Sequence, residues 1–255
     1  MKREVMTFPP DLIEALRTAH HVVVSTGAGV SQESGIPTFR DGLEGLWEIF
    51  DPEQFATPQA FARQPDLVWG WYEFRRAQVA KCLPNPAHQA IATLARKVRR
   101  LTVITQNVDN LHERAGSTDV IHLHGSLHAP ICASCGQSYM MSANDAQAGE
   151  TGGRLPPPTC PSCGGLVRPG IVWFGEMLPE EALERAQQAT LHCDVFFSIG
   201  TSVVVYPAAA LPFMAAEQGA CVVQINPEPT GLDDYASFSL VGKAGEVMPE
   251  LVAAV

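Results

Sequence analysis

At 255 residues and 27.5 kDa, the chain can hold one large domain, or one plus a small insert. Hydrophobic residues make up 46% of it, enough for a sizeable core, which excludes disorder as the default state. A formal charge of −10 and a pI near 5.2 exclude a general nucleic-acid binder, which carries a basic stripe, and leave room for a mild attraction toward basic peptides.

The segment MKREVMTFPPDL has no apolar core of signal-peptide length, and no stretch approaches the ~18 apolar residues that span a bilayer. Seven cysteines, an odd number with no export signal, point to reduced thiols or metal ligands rather than disulfides. The expectation is a cytoplasmic monomer with no membrane and no nucleic-acid partner.

Pro9-Pro10-Asp11 predicts the start of a helix over 12–19, leading into a β-branched strand at Val22, Val23 and Val24. The strand ends in Ser25-Thr26 and then Gly27-Ala28-Gly29, where two glycines allow a tight turn and close approach to a ligand. Strand, glycine turn and helix start resemble a dinucleotide cradle, although Gln32 stands where the full fingerprint has its third glycine. Residues 42–84 read as a helical insertion, with helix starts at Asp51-Pro52 and Thr57-Pro58 and a strong helical pattern over 66–81. Asn85-Pro86 restarts the series with a helix over 87–99 and a strand over 101–105.

A polar loop, 106–110, follows, then a short helix (111–115) and a strand (120–123) ending at His124-Gly125-Ser126. Composition shifts over 131–166, a second insertion rich in cysteine, glycine and proline. Helix (179–191), strand (195–199), helix (207–218) and strand (221–225) resume the alternation, and 244–254 reads as a closing helix. Such alternation implies a parallel sheet with helices on both faces, whose loops at Gly27, Gln106, His124, Gly200 and Asn226 converge along one edge.

Cys132-x2-Cys135 and Cys160-x2-Cys163 each have the knuckle spacing that puts two thiolates on one tetrahedral Zn²⁺. Four thiolates leave no open coordination position, so this zinc is expected to hold the insert together and to take no part in chemistry. Cys82, Cys193 and Cys221 read as buried small apolar residues. Among eight histidines most read as structural or solvated. His20 and His21 fall at a helix end, His88 in a helix start, His112 in a short helix and His192 at another helix end. His124 alone sits at a strand end on the ligand edge, where an imidazole titrating near 6.5 serves as a general base or is simply a satisfied core residue. Gln106, Asn107 and Asp109 suit the hydroxyls and carboxamide of a nucleotide, or form an ordinary Asx-rich turn.

The motifs GAGVSQESGIPTFRD, TQNVDNLHERAG, HLHGS, the paired CxxC, RPGIVWFGE, GTSVVVYPAA and QINPEPT stand in the order seen in sirtuins. Over nearly its whole length the chain resembles these NAD-dependent protein-lysine deacylases. The resemblance implies a Rossmann-type large domain (1–41, 85–130 and 166–255). A small domain would combine the helical insert (42–84) with a zinc-ribbon-like insert (131–165). NAD and an acylated lysine on a protein substrate would meet in the cleft between the two. Gly27, Ala28, Gly29, Ser31, Phe39, Arg40 and Gln106 would line the NAD channel. Asn107 and Asp109 would surround the nicotinamide ribose and carboxamide, with Ile36 nearby. Gly200, Thr201, Ser202, Asn226 and Ala244 would hold the adenosine half.

His124 matches the catalytic histidine, with Asn107 beside it. It would take a proton from a ribose hydroxyl after the acyl oxygen has captured C1′, giving nicotinamide, O-acyl-ADP-ribose and free lysine. Residues 172–176, including Val172, Phe174, Gly175 and Glu176, match the strand that pairs with substrate backbone. Tyr72 and Arg75 are three apart and share a helix face, suited to gripping a carboxylate. On spacing alone they are equally a core tyrosine and a solvated arginine. Their placement resembles the Tyr-x-x-Arg pair of sirtuins that remove malonyl, succinyl or glutaryl groups, and Ala56 matches the small residue of that class. Alternatives are a deacetylase only, an NAD-consuming hydrolase or ADP-ribosyltransferase, a non-enzymatic NAD sensor and a dehydrogenase.

Overall fold

The β-branched and aromatic runs form six parallel strands in the computed structural model, which describes residues 6–36, 55–142 and 153–255. They are β1 (Val22–Thr26), β2 (Leu101–Thr105), β3 (Val120–His122), β6 (Val195–Ile199), β7 (Cys221–Asn226) and β8 (Phe238–Val241), in the order β3-β2-β1-β6-β7-β8. Every residue of β1, β2 and β6 is buried, as strands covered on both faces must be. In-register pairing of Val22 with both Leu101 and Val195 aligns the carboxyl ends of the central strands. The order reverses between β1 and β6, the position at which open α/β sheets bind ligands. β8 was not among the predicted strands: its residues alternate between partial and full exposure, so it carries no buried apolar run to announce it.

One face of the sheet is covered by α1 (Pro10–Thr18), α5 (Pro86–Leu94) and α9 (Ala244–Ala254), which bury Leu12, Leu16, Ile91, Leu94, Met248 and Leu251. The other is covered by α7 (Glu180–Leu191) and α8 (Leu211–Glu217), through Ala186, Ala189, Leu211 and Ala215 against Phe196 and Val222. Short helices α2 (Gly29–Gln32) and α6 (Leu111–Arg114) follow the first two strands. The helix predicted over 87–99 ends at Leu94, because its last residues, through Arg99, are mostly exposed and form turns. Likewise the helix predicted over 207–218 begins as a 3-10 turn at Ala208–Ala210. Of the three cysteines expected to be buried, the structure buries Cys193 alone, Cys82 and Cys221 being partly exposed. His20 and His21 lie beyond the end of α1; His21 is buried and donates to Thr102 Oγ1, which in turn donates to Asp119.

The helical insertion forms α3 (Pro58–Arg63) and α4 (Pro65–Lys81). Thr57 caps α3 by accepting from the Ala60 N–H, as its Thr-Pro start predicts; Asp51-Pro52 lies outside the described residues. Residues 68–73 of α4 are all buried, so this helix has no single apolar stripe. The second insertion crosses α4 at Gly70, where an added Cβ would lie 1.9 Å from the Gly153 carbonyl oxygen. Arg154 pairs with Asp66 at 2.8 Å beside that crossing. An antiparallel pair absent from the predicted elements, β4 (Gly125–Cys132) and β5 (Val167–Ile171), carries the cysteine-rich segment away from the main sheet. Among the described residues no helix is long and apolar enough to cross a membrane.

Candidate active site

The five loops expected to converge do so through direct hydrogen bonds. His124 Nδ1 donates to the Gln106 carbonyl at 2.9 Å, and Gln106 Nε2 donates to Thr201 Oγ1 at 3.2 Å. Asn226 Nδ2 donates to the Thr201 carbonyl at 3.3 Å, and Gly29 N to the Gly200 carbonyl at 2.9 Å. Glu33, just past α2, accepts from Gly245 N at 2.7 Å, tying the glycine loop to the start of α9 beside Ala244.

The glycines serve a purpose the sequence alone does not show. Gly200, at φ +59, is the one in left-handed backbone. A Cβ on Gly27 or Gly29 would lie 2.8 Å from the Gly200 carbonyl oxygen. They are glycine because two loops at the switch point pack backbone to backbone. The N–H groups of Ala28, Thr201 and Ser202, in the loops that meet here, have no acceptor among the described residues. Phe39 and Arg40 lie outside the described residues.

Behind the loop lies a buried polar group. Asn107 Nδ2 donates to the Gly27 carbonyl and to Ser31 Oγ, both at 3.1 Å, and Ser31 donates to Asp109 Oδ2 at 3.0 Å. Asp109 also accepts from Leu111 N at the start of α6. Burial raises its carboxyl pKa, against these two hydrogen bonds, which lower it. His88 is fully buried beside Ser31, its Nε2 3.5 Å from Ser31 Oγ and its Nδ1 accepting from Asn85 N. His112 packs on it with ring centroids 4.9 Å apart and meets Thr26 Oγ1 at 3.0 Å. Burial holds both neutral, pushed down to about 4 for His88 and about 3 for His112. Neither was singled out as functional; the capping spacing Asn85-x2-His88 signals a helix start, and nothing local signals that these rings lie together beneath the site.

His124 itself is partly buried, and burial lowers its pKa below the usual imidazole value, against the opposing pull of the Gln106 carbonyl. With Nδ1–H engaged and no partner for Nε2 among the described residues, the ring keeps a free lone pair at Nε2. Two residues earlier, His122 meets Asn107 O at 3.2 Å and Glu113 at 2.6 Å. No local spacing marks it, because its partners come from a loop and a helix nine to fifteen residues away.

A third, aromatic core lies between α3, α4 and the β4–β5 pair: Phe55, Phe61, Trp71, Tyr72, Leu127 and Trp173, with Ile36, Ala56 and Val108 at its margin. Here the residues predicted for substrate meet. Phe174 N donates to the Ala56 carbonyl at 2.9 Å, and Trp173 Nε1 donates to the Tyr72 hydroxyl at 3.1 Å. Tyr72 is buried, and desolvation raises its pKa, so the phenol stays protonated. Arg75 is half-buried, its guanidinium 5.6 Å from the Trp71 ring centroid; burial lowers its pKa while Tyr72 opposes that shift.

The expected strand at 172–176 is instead a turn closing the β5 end. Gly175 takes φ +85, Glu176 N donates to the Trp173 carbonyl, and Val172 N donates to the His124 carbonyl at 2.9 Å. The Glu176 carboxylate accepts from Arg168 Nη1 and Nη2 and from Trp173 N at 2.8 Å. Arg168 also stacks 3.5 Å from the Trp173 ring centroid. Glu176 therefore shapes this turn, and Phe174, 54% exposed, is the side chain presented outward.

Cys132, Cys135, Cys160 and Cys163 place all four sulfurs within 4.8 Å of one another. The Cys132–Cys163 and Cys135–Cys160 separations are 3.4 and 3.9 Å. Tetrahedral zinc with ~2.3 Å bonds sets sulfurs about 3.8 Å apart, so the donor set fits that ion. Ser134 N and Gly165 N donate to Cys132 and Cys163, and Gly136 and Gly164 turn each knuckle at positive φ.

Residues 27–207 match the model of the Sir2 family. The chain is 55% identical over 249 residues to an NAD-dependent protein deacylase of Methylococcus capsulatus, covering 98% of each chain. It is 56% identical to NAD-dependent protein deacylase 1 of Pseudomonas aeruginosa, over 94% of this chain and 96% of that one. Among solved structures it is similar to a Sir2 homolog–NAD complex (48% identity, TM-score 0.87, 98% and 95% of the chains). It is also similar to Sir2Af2 bound to a myristoylated histone peptide (39%, TM-score 0.74, 96% and 94%).

Proposed function

This chain belongs to the Sir2 family and is an NAD-dependent protein deacylase; from that premise we propose which residues carry the reaction and which acyl groups they accept. The observation that carries the assignment is His124. Its Nδ1–H is spent on the Gln106 carbonyl, while Nε2 is left open at the switch-point edge, beside the glycine loop.

NAD, when bound, supplies the ADP-ribosyl group that accepts the acyl group as nicotinamide leaves. Gly27, Ala28, Gly29, Gln106, Gly200, Thr201 and Ser202 line its place, and the unpaired N–H groups of Ala28, Thr201 and Ser202 suit its phosphates. Asn226 and Ala244 flank the adenosine side, and Ile36 the nicotinamide side. Ser31, Asn107 and Asp109, already locked to one another, offer a preorganised polar wall to nicotinamide and its ribose. His124 holds its proton at Nδ1 and takes one at Nε2 from a ribose hydroxyl. The two inserts, joined at Gly70 and Arg154, form one small domain that closes the other side of the cleft. None of the seven cysteines forms a disulfide, in keeping with a cytoplasmic enzyme.

For the acyl group we favour acidic short chains alongside acetyl. An indole N–H only donates, so the Trp173 bond makes the Tyr72 oxygen an acceptor and leaves its own O–H to donate to a carboxylate. Arg75, one turn on, adds the charge. The turn made by Arg168, Trp173 and Glu176 sets this geometry, and Phe174 and Gly175 with Val172 form the rim along which substrate backbone lies. Acetyl-, succinyl- and myristoyl-lysine versions of one peptide, followed by mass with and without NAD, test the reading. Arg75→Met should reduce kcat/KM on succinyl-lysine about 10–100-fold and leave acetyl within about threefold, since a charged hydrogen bond contributes ~1.5–3 kcal/mol. His124→Ala should abolish removal of every group and preserve NAD binding. Succinyl removal unaffected by Arg75→Met, or no succinyl removal at all, rejects the acidic-acyl assignment.

A further inference from the structure

His122 ends β3 and His124 lies two residues on, and each sets Nδ1 against a carbonyl of the same loop. His124 takes Gln106 and His122 takes the next residue, Asn107. The rings differ at Nε2. That of His124 has no partner among the described residues, whereas that of His122 lies 2.6 Å from Glu113 Oε1 on α6.

A backbone carbonyl only accepts. Glu113 also only accepts, because its carboxyl pKa is lowered, by the His122 bond foremost among its favourable contacts and against burial, so it is ionised at neutral pH. With an acceptor at each nitrogen, His122 needs both protons to make both bonds; His124 needs one. We propose that His122 is a proton-linked positioning residue, a doubly protonated bridge from Glu113 that clamps the Asn107 carbonyl while Asn107 Nδ2 is fixed to Gly27 and Ser31.

Asn107 is then held from both ends, and the NAD-facing loop is rigid only while His122 keeps its second proton. The groups facing the ring are Glu113 and His112 on α6, Asp109 in the loop and His128 on β4. The two carboxylates favour the charged ring; His112 and His128 oppose it and are themselves held toward the neutral form. The inference rests on the placement of Asn107 in the NAD site.

The test uses the zinc-replete full chain. The ¹⁵N signals of the His122 ring should show both nitrogens protonated at neutral pH, and those of His124 only one. Calorimetric titration with NAD alone, from about pH 6 to 9, should show affinity weakening about tenfold as His122 loses its proton, the scale of one charged hydrogen bond. Glu113→Gln should move that weakening to lower pH. His122→Asn, whose amide nitrogen replaces Nδ1–H without titrating, should flatten it. A singly protonated His122 at neutral pH, or the same NAD profile in wild type and Glu113→Gln, overturns the inference while leaving the NAD site intact. Wild-type protein that binds no NAD overturns the site assignment and the inference with it.

Discussion

At the residue scale, the protein separates two histidines by the number of acceptors each faces. Burial lowers the His124 pKa and holds that ring toward the neutral form; the His122 pKa is raised, because Glu113 and the Asn107 carbonyl outweigh its burial. The general base is therefore in its working form at pH 7 and remains so below the usual imidazole value of 6.5. At saturating NAD, kcat should hold level from pH 8 down to about 6.5 and fall only on the acid side of that value. A kcat profile on acetyl-lysine peptide checks this, and an acid limb centred above pH 7 would contradict it. His122 acts oppositely on stability. Its folded pKa is raised, so its contribution is complete below the unfolded value and is lost as pH rises through the folded one.

At the element scale, α4 shows how a helix can be dictated by what crosses it. Its middle residues, 68–73, are buried all round: Trp71 and Tyr72 face the aromatic core, and Glu73 pairs internally with Arg76 at 2.8 Å. Arg76 also reaches across to the Leu127 carbonyl on β4, joining the helical insertion to the strand that follows His124. Gly70 is glycine because the chain at Gly153 lies against it, not because the helix turns there. On propensity alone, Gly70→Ala would stabilise an interior helical position by about 1 kcal/mol. The clash with backbone should reverse that sign and destabilise by roughly 1–3 kcal/mol, read as a lowered Tm. A raised Tm would mean that the second insertion does not cross α4 at this point.

At the scale of the whole molecule, the zinc-type cluster stands apart from the chemistry but not from the fold. Its cysteines lie at and beyond one end of the β4–β5 pair, and the other end is bonded to the site through Val172 N and the His124 carbonyl. The cluster's four thiolates can saturate one tetrahedral ion, so the metal would supply folding energy and no reactive water. Purified protein should contain one zinc per chain. Chelation should lower Tm and remove activity together, and cobalt replacement should restore both with a tetrahedral thiolate spectrum. Full activity in metal-free protein would refute the structural role.

The alternation of strands and helices, the glycine loop, the paired cysteines and His124 at a strand end were all legible in the sequence, because each is written in local periodicity or short spacing. The family followed from the order of those motifs. What only the tertiary structure decided depends on partners distant along the chain. Gly27 and Gly29 are packed against Gly200, so their small size answers a loop more than 170 residues away. Glu176 belongs to Arg168 and a turn rather than to a substrate strand, and the Tyr72 oxygen is aimed by Trp173. His122 differs from His124 by one acceptor on a neighbouring helix, a difference in protonation that no spacing along the chain encodes.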